Sequence, residues 1–375
     1  MSIAYPEFRA SRCTRYRFRY SECRRCTAAC PHEAIILSDE GVTIDSVRCQ
    51  NCALCVTACP TDALASGGFK PMDMLRQAIR QDRFTIACAP SGAVAVADAD
   101  AVVPCLGAVD AGSLAYLAKR RIPVTMRGAS HCGECAHGAR GAAQLALNLE
   151  ACEVLTKAAG TADARADWVA PEVESGNTSP PTIERGSSFA ASRRQWFRRL
   201  VGRGADELAQ ATEPTSSSLP TPDKAIRPGA YALPERRELL QIVCERRDDQ
   251  PFSVPLHEAL PLMALSLQPG CTTCEACFRV CPTGAIEIEE SPADWQLKFD
   301  TDRCVGCAVC LEVCQPRVLD ADVNFDARPE QPARVLLARS KQRCSRCDRH
   351  FVSHTTRETC PICRDDEDAF TAIFG

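Results

Sequence analysis

The sequence predicts a multidomain α+β protein with two copies of a small cysteine-rich α+β module, an α/β domain and a small C-terminal segment. Three observations lead to this prediction. The 26 cysteines of the 375-residue chain fall mainly in four groups, and the first and third groups repeat one spacing. Between them, apolar runs of strand length alternate with helical patterns, which is typical of a parallel sheet. A stretch rich in Ala, Ser, Thr, Pro and acidic residues follows and predicts a disordered linker.

The composition excludes several classes of protein. The chain is 45% apolar and 25% charged, as is ordinary for a soluble protein, and its net charge of −4 argues against a nucleic-acid binder. No run approaches roughly 18 apolar residues, so we predict no transmembrane segment, with peripheral membrane contact left open. The N-terminus lacks a secretory h-region. A cytoplasmic location is therefore expected, where so many cysteines indicate metal binding rather than disulfides.

Changes of composition place the domain boundaries. The expected units are 1–70 for the first cysteine-rich module, 71–157 for the α/β domain, 158–235 for the linker, 236–330 for the second module and 335–375 for the C-terminal segment. Inside the linker, the island SRRQWFRRL predicts a short basic helix over 192–203, with Trp196, Phe197 and Leu200 as its docking face. A partner protein, an acidic membrane surface and the chain's own domains are all candidates for what it binds.

The repeated cysteine spacing is a specific signature. The run C-x2-C-x2-C-x3-C-P is intact at Cys49–Pro60 and at Cys271–Pro282, and at Cys304–Cys314 only an inserted Gln315 before the proline departs from it. This run is the bacterial [4Fe–4S] signature. Three thiolates two residues apart lie on a tight loop, and the fourth, which leads a Cys-Pro turn, reaches the neighbouring cluster. Zinc or disulfides are disfavoured because zinc sites do not use this run in tandem pairs.

Both modules thus resemble the dicluster [4Fe–4S] ferredoxin family, over about 12–66 and 268–320. The resemblance implies a pseudo-twofold α+β unit in which each Cys-Pro-x-x-Ala-Ile leads into a β-hairpin and a short helix follows each cluster loop. It also implies four clusters with crossed ligation. The implied sets are Cys49, Cys52, Cys55 and Cys30; Cys271, Cys274, Cys277 and Cys314; and Cys304, Cys307, Cys310 and Cys281.

The remaining set departs from the family pattern. Cys23, Cys26 and Cys59 are present, but the position of the first cysteine is occupied by Tyr20. We expect Cys13 to be the fourth ligand by way of a longer loop, and the alternative is a three-cysteine [3Fe–4S] or labile cluster. The arginines around this set predict either a solvated basic face or a docking face for an acidic redox partner. They are Arg9, Arg12, Arg15, Arg17, Arg19, Arg24 and Arg25.

The α/β domain carries a third cysteine group. Strands are predicted at 83–88, 101–105 and 122–127, and Cys88, Cys105, Cys132 and Cys135 lie at or after their carboxyl ends. Because these ends form the ligand crevice of an open α/β sheet, we expect four converging thiols and a fifth centre, iron–sulfur rather than zinc. The domain loosely resembles iron–sulfur subunits of hydrogenases and heterodisulfide-reductase-type complexes. His131 and His137 are further candidate ligands, and a redox-active dithiol or inert thiols are the alternatives.

The C-terminal segment has two further knuckles, CSRC and CPIC. Their cysteines, Cys344, Cys347, Cys360 and Cys363, predict a zinc ribbon, with rubredoxin-like iron as the alternative. Cys152 and Cys244 stand alone in apolar segments and are expected to be core residues.

The cysteine pattern predicts an electron-transfer protein with four [4Fe–4S] clusters, a fifth centre and one zinc ion. No nucleotide-binding or Ser/His/Asp motif is evident, so a partner redox enzyme is expected to supply the reaction. Family resemblance suggests a formate dehydrogenase, a hydrogenase or a similar complex. A maturation factor that delivers clusters or electrons to an apo-metalloenzyme is the alternative, and a redox-sensing regulator is disfavoured.

Overall fold

The computed structural model describes residues 5–39, 41–159, 229–244, 252–327, 333–353 and 355–365. Most of the predicted linker, including the basic helix at 192–203, lies outside these residues. Among them, no helix combines the length and the apolar character needed to cross a bilayer.

The first cysteine-rich module is built from two antiparallel strand pairs and short helices. Strand β1 pairs with β4, and β2 pairs with β3 in the hairpin predicted after Cys30. Ile35 and Val42 point into the module core with Cys30 and Cys55. The elements are β1 (Glu7–Phe8), α1 (Thr14–Arg17), α2 (Arg25–Ala29), β2 (Ile35–Ser38), β3 (Gly41–Ile44), α3 (Leu54–Ala58) and β4 (Leu64–Ala65).

The middle region has a three-stranded parallel sheet in the order β6-β5-β7. This is the parallel pairing predicted from the alternation of strands and helices. The Asp110 side chain caps helix α6 by accepting the Ser113 backbone N–H at 3.0 Å. The elements are α4 (Pro71–Ala78), β5 (Phe84–Cys88), α5 (Ala93–Val96), β6 (Ala101–Val103), α6 (Ala111–Lys119), β7 (Val124–Arg127) and α7 (Gly138–Ala158).

The core of the middle region also contains residues from beyond the predicted linker. Helix α8 (Glu235–Cys244) buries Leu239, Leu240 and Val243 in this core, and Phe325 reaches it from much later in the chain. The leucines recur at helical spacing, so one apolar face of α8 is available to cover α6. Cys152 and Cys244 are both buried in the same core, as their apolar surroundings predicted.

The second cysteine-rich module repeats the arrangement of the first. Strand β9 pairs with β12 and β10 pairs with β11, while β13 pairs with β8 beside the middle region. The predicted hairpin after Cys281 is present. The elements are β8 (Phe252–Pro255), β9 (Leu265–Leu267), α9 (Ala276–Val280), β10 (Ile286–Glu290), β11 (Asp294–Phe299), α10 (Val309–Val313), β12 (Leu319–Ala321) and β13 (Asn324–Ala327).

The C-terminal segment is attached to the second module through a continuous sheet. The long strand β14 (Arg334–Arg343) pairs with β11 at one end and with β15 (His350–Val352) at the other, in the order β10-β11-β14-β15. Main-chain hydrogen bonds therefore hold the four C-terminal cysteines next to the second module.

Candidate metal centres

The two cysteine-rich modules contain four predicted cluster loops, and three of these loops share one backbone conformation. In each, the residues immediately before and after the middle cysteine are left-handed, with φ between 52° and 63°. Such local left-handed turns gather backbone N–H groups into a concavity that suits an anion. These residues are Asn51 and Ala53, Thr273 and Glu275, and Gly306 and Ala308.

The four turns that follow the last cysteine of each run are also alike. The third residue after the cysteine is left-handed in every one, at Glu33, Asp62, Gly284 and Arg317, with φ between 50° and 66°. The fourth turn keeps this conformation although Gln315 stands where the others have proline. The sequence departure at Gln315 therefore leaves the turn unchanged.

The loop around Cys23 and Cys26 is different in backbone as well as in sequence. Arg24, which corresponds to the left-handed residues of the other loops, has φ −130°. Tyr20 is 66% exposed, whereas Cys13 is buried. Cys13 lines one cavity together with Cys23, Cys26 and Cys59. The longer connection from Cys13 thus brings a fourth thiol to this cavity.

Two further predicted sets, the one that contains Cys55 and the one that contains Cys310, also bring their thiols close together. Burial, and then the neighbouring Cys52 and Cys30, raise the pKa of Cys55, and Cys49 acts in the same direction. In the second module, burial followed by the neighbouring Cys307, Cys304 and Cys281 raises the pKa of Cys310. Each predicted set is therefore a group of neighbouring thiols.

The outermost set of the second module lines a cavity of its own. This cavity is formed by Cys271, Cys274, Cys277 and Cys314, and Trp295 and Leu297 of β11 close one side. Cys274 is exposed, whereas Cys304 and Cys310 of the inner set are buried. The outer set is therefore the one in this module that lies against solvent.

Burial determines the acid–base state of these thiols. Desolvation raises the pKa of Cys26, Cys277 and Cys304 to about 12 each, and mutual repulsion between thiolates adds to the effect. Buried thiolates at such density require cations between them, and soft thiolates select iron–sulfur clusters, zinc or copper(I). The donor sets therefore fit metal centres.

The cysteines of the middle region converge from three separate loops. Cys88 ends β5, Cys105 follows β6, and Cys132 and Cys135 lie between β7 and α7; all four line one cavity. A side chain at Gly141 of α7 would come within 3.0 Å of the Cys105 sulfur, so glycine allows the helix to approach the thiol. Burial, and then Cys88, raise the pKa of Cys105 to about 12.

Two histidines lie between this cavity and the first module. The rings of His32 and His137 are 5.3 Å apart and nearly perpendicular. The metal-binding atoms of His32, Cys52 and His137 all lie within 4.8 Å of one another. Sequence reasoning named His137 and missed His32, whose only signal is its position two residues after Cys30. The other flanking histidine, His131, is half-buried at the wall of the same cavity.

Neighbouring thiol sets lie next to one another. Cys105 of the middle region and Cys52 of the first module share an apolar cluster with Leu54. Cys307 of the second module lines the cavity that holds Cys13. Inside the first module the nearby Cys26 contributes to raising the pKa of Cys55, and inside the second module Cys277 does the same for Cys310. These contacts order the five sets in a continuous row from the middle region to the outer loop of the second module.

Several of the clustered arginines bind this chain rather than facing solvent or a partner. The Arg17 guanidinium, 4% exposed, donates to the backbone oxygens of Val280 and Cys281 at 3.2 Å each. Arg25 donates to the Gly306 oxygen at 3.2 Å. For these two arginines, neither a solvated face nor a docking face describes their role. They hold the two modules together, because buried carbonyls of the second module need donors.

Helix α8 supplies two further arginines to the thiol loops. Arg236 donates to the Thr57 oxygen at 2.7 Å and to Asp62 at 3.0 Å in the first module. Arg237 donates to the Cys304 oxygen at 2.7 Å and to the Thr301 oxygen at 2.8 Å in the second module. Sequence reasoning missed both residues, and their adjacency in a helix between two modules was the available signal.

The C-terminal cysteines form a compact four-thiol site. The sulfurs of Cys344, Cys347, Cys360 and Cys363 all lie within 4.8 Å of one another. Backbone N–H groups of Cys347 and Cys360 donate to the Cys344 sulfur and lower its pKa to about 6. Four thiolates at this spacing suit a tetrahedral metal ion such as zinc, or an iron centre.

The protein-family profile described as "4Fe-4S dicluster domain" matches residues 21–63 and 270–318. These two regions are therefore 4Fe-4S dicluster domains, and the chain is a ferredoxin-like iron–sulfur protein. The first match begins after Cys13.

Similar proteins match over short stretches. A polyferredoxin protein of Methanothermobacter marburgensis is 38% identical over 52 residues, which are 12% of this chain and 13% of the relative. The pyruvate synthase subunit PorD of Methanocaldococcus jannaschii is 41% identical over 44 residues, 12% of this chain and 48% of the relative. A ferredoxin-like protein in the nif region of Nostoc sp. is 40% identical over 45 residues, which are 12% of this chain and 36% of the relative. The chain thus spans less than half the length of each of these relatives.

Proposed function

We propose that the protein is an electron-transfer subunit or accessory that holds four [4Fe–4S] clusters and a fifth iron–sulfur centre for a partner oxidoreductase. The observation that carries this proposal is the continuous row of five thiol sets. Iron–sulfur clusters supply reversible one-electron chemistry when bound. A chain that only stored or delivered one cluster would not need five sets in which each lies next to the following one.

The proposed ligand sets follow the grouping of the thiols. Each set takes its members from two or more separate loops, so that forming a cluster also fixes the fold around it. The sets are Cys13, Cys23, Cys26 and Cys59; Cys30, Cys49, Cys52 and Cys55; Cys88, Cys105, Cys132 and Cys135; Cys281, Cys304, Cys307 and Cys310; and Cys271, Cys274, Cys277 and Cys314. Cys344, Cys347, Cys360 and Cys363 would bind one zinc ion.

The two ends of the row are suited to contact with redox partners. At one end Cys274 is exposed, and Phe278 beside it is 39% exposed. At the other end, Gly133 and Glu134, the two residues between Cys132 and Cys135, are exposed. The thiols of the three sets in between are buried or half-buried, and none is exposed. This shielding favours transfer along the row over loss of electrons to solutes.

The names of similar proteins support a partner oxidoreductase. One is a pyruvate synthase subunit. Another, 31% identical over 51 residues (18% of its length), belongs to an ion-translocating oxidoreductase complex of Methanosarcina acetivorans. We propose a comparable role for this chain in the cytoplasm, as a subunit or accessory of a larger complex.

Metal analysis of the anaerobically purified full chain tests the proposal. We expect about 16 iron atoms from the four [4Fe–4S] clusters, about two to four more from the fifth centre and one zinc ion per chain, with reduced-cluster signals in electron paramagnetic resonance (EPR). Cys105→Ser should lower the iron content by about two to four atoms, those of the fifth centre, while the matched control Cys152→Ser, a buried thiol outside all sets, should not. A chain with zinc but no iron would refute the proposal. Transfer of its iron to an apo-enzyme, without stable association, would instead support the maturation factor.

A further inference from the structure

The histidine pair at the junction of the first module and the middle region is not explained by the thiol sets. His32 follows Cys30 by two residues in a Cys-Pro turn, and His137 follows Cys135 by two residues at the start of α7. Two turns from distant parts of the chain thus bring two imidazoles edge to face, 5.3 Å apart. The pair lies between the set that contains Cys52 and the set that contains Cys105.

Each imidazole has a buried nitrogen without a partner. Among the described residues, buried side-chain nitrogen atoms that make no hydrogen bond include His32 Nε2 and His137 Nδ1. His137 is only 7% exposed and lines the cavity of the middle set. An unsatisfied buried nitrogen is costly, and an apolar side chain would fill the same space without that cost. Two such atoms facing sulfur-rich sites therefore point to an acceptor that the thiols alone do not provide.

We propose that His32 and His137 donate ring N–H hydrogen bonds to sulfur atoms of the iron–sulfur groups held by the two adjacent thiol sets, and thereby raise the reduction potentials of both groups. The inference rests on the proposed function. A neutral imidazole carries one N–H, so each histidine provides one donor. Reduction adds negative charge to the sulfur atoms, and hydrogen bonds to charged acceptors are the stronger ones. The donors therefore favour the reduced state.

The position of the pair selects which centres it affects. His32 and His137 lie close to Cys52, and the His137 backbone N–H donates to the Cys135 sulfur at 3.4 Å. Among the residues that the structure describes, no thiol of the second module groups with His32, Cys52 and His137 or lines the cavity of the middle set. The two centres of the second module should keep their potentials when either histidine is replaced.

Redox titration of the full anaerobic chain, followed by EPR, tests the proposal. His32→Phe and His137→Phe remove the donor and retain a planar ring. Each should shift the one-electron reduction equilibrium of an adjacent centre about tenfold toward the oxidised state, or about 59 mV. His32→Gln and His137→Gln, which retain an N–H, should restore part of the shift. The matched control His350→Phe, at an exposed position in the C-terminal segment, should leave all potentials unchanged.

Unchanged potentials in both Phe variants at full iron content would overturn the inference. If a Phe variant loses iron, a second measurement tests the proposed hydrogen bonds without a substitution. Histidine labelled with ¹⁵N in the otherwise unchanged chain should give a weak hyperfine coupling to a reduced centre, and either no coupling or the strong coupling of an iron–nitrogen bond would overturn the proposed hydrogen bonds. Absence of iron from the unchanged chain would refute the proposed function itself, so the two failures are distinguishable.

Discussion

Cys13 is the residue for which sequence pattern and structure have to be combined. It precedes Cys23 by ten residues, outside the regular run and outside the family match. Yet it is buried beside Cys23, Cys26 and Cys59. Burial, and then the nearby Cys59 and Cys23, raise the pKa of Cys13, as for a thiol in a shared ligand set.

Replacing Cys13 with alanine tests its role as a ligand. We expect Cys13→Ala to lose one [4Fe–4S] signal. Either the whole cluster is lost, which removes up to about four iron atoms per chain, or it is converted to a [3Fe–4S] cluster with its own signal, because three thiolates hold three irons. EPR and iron analysis measure the change, and Cys152→Ala serves as the control. An unchanged number of [4Fe–4S] signals would remove Cys13 from the set.

Cys244 predicts a pH dependence of stability that is independent of metal. Burial in the core of the middle region raises its pKa to about 11, against about 8.5 in an unfolded chain. Because the folded-state pKa is the higher one, its contribution to stability is complete below about pH 8.5 and is lost as the pH rises toward 11.

Urea unfolding of the metal-loaded protein at pH 8 and pH 10.5 measures this effect. The unchanged chain should lose about 2 kcal/mol more between the two pH values than Cys244→Ala does, since the variant has no thiol to ionise. Metal-bound thiolates do not titrate and cancel in the comparison. Equal losses in the two proteins would show that Cys244 does not carry the dependence.

At the scale of elements, helix α8 joins all three folded regions. Leu239 and Leu240 pack into the core of the middle region, Arg236 binds the first module and Arg237 binds the second. Burial lowers the pKa of Arg237, but the nearby Asp302 opposes the shift. The helix therefore determines how closely the thiol loops of the two modules approach each other.

Arg237→Met tests this role of α8. The substitution retains an unbranched side chain of similar length but leaves the Cys304 and Thr301 oxygens without their donor, so we expect a loss of about 2 kcal/mol in unfolding free energy. Denaturation followed by the cluster absorbance measures it. Arg343→Met, which removes an exposed ion pair with Asp348, is the control and should have no measurable effect. A similar loss in both variants would argue against a specific role for Arg237.

The hairpins, the cluster loops and the parallel strands were predictable element by element. Each depends on residues within a short stretch, such as the repeated left-handed positions around Cys52, Cys274 and Cys307. The role of α8 was not predictable, because its partners lie more than 60 residues away in either direction along the chain. The sequence placed a domain boundary near residue 235 and predicted Cys244 to be a core residue, but it predicted neither this helix nor its contacts.

At the scale of the whole molecule, the C-terminal segment carries a separate four-thiol site on a shared sheet. Among the described residues, its four thiols group with no thiol of the iron–sulfur sets. Strand β14 pairs with β11 of the second module, and Val352 of β15 packs against the core of that module. A chelator selective for zinc should therefore unfold β15 and the two cysteine knuckles while the iron–sulfur absorbance stays unchanged. Hydrogen exchange by mass spectrometry measures the local loss of protection. If iron–sulfur absorbance falls together with zinc, the site is coupled to the clusters or itself holds iron.

The sequence by itself determined the kind of chemistry, because a cluster loop and its Cys-Pro turn are encoded within about a dozen consecutive residues. The family match over both modules bears this out. Only the tertiary structure decided that the five thiol sets lie in one row, that Cys13 lies beside the irregular set, and that His32 meets His137. These features depend on contacts such as that of Arg17 with Val280, 263 residues apart. Packing between distant segments leaves no periodic trace in the chain, so the spacing of cysteines cannot reveal it.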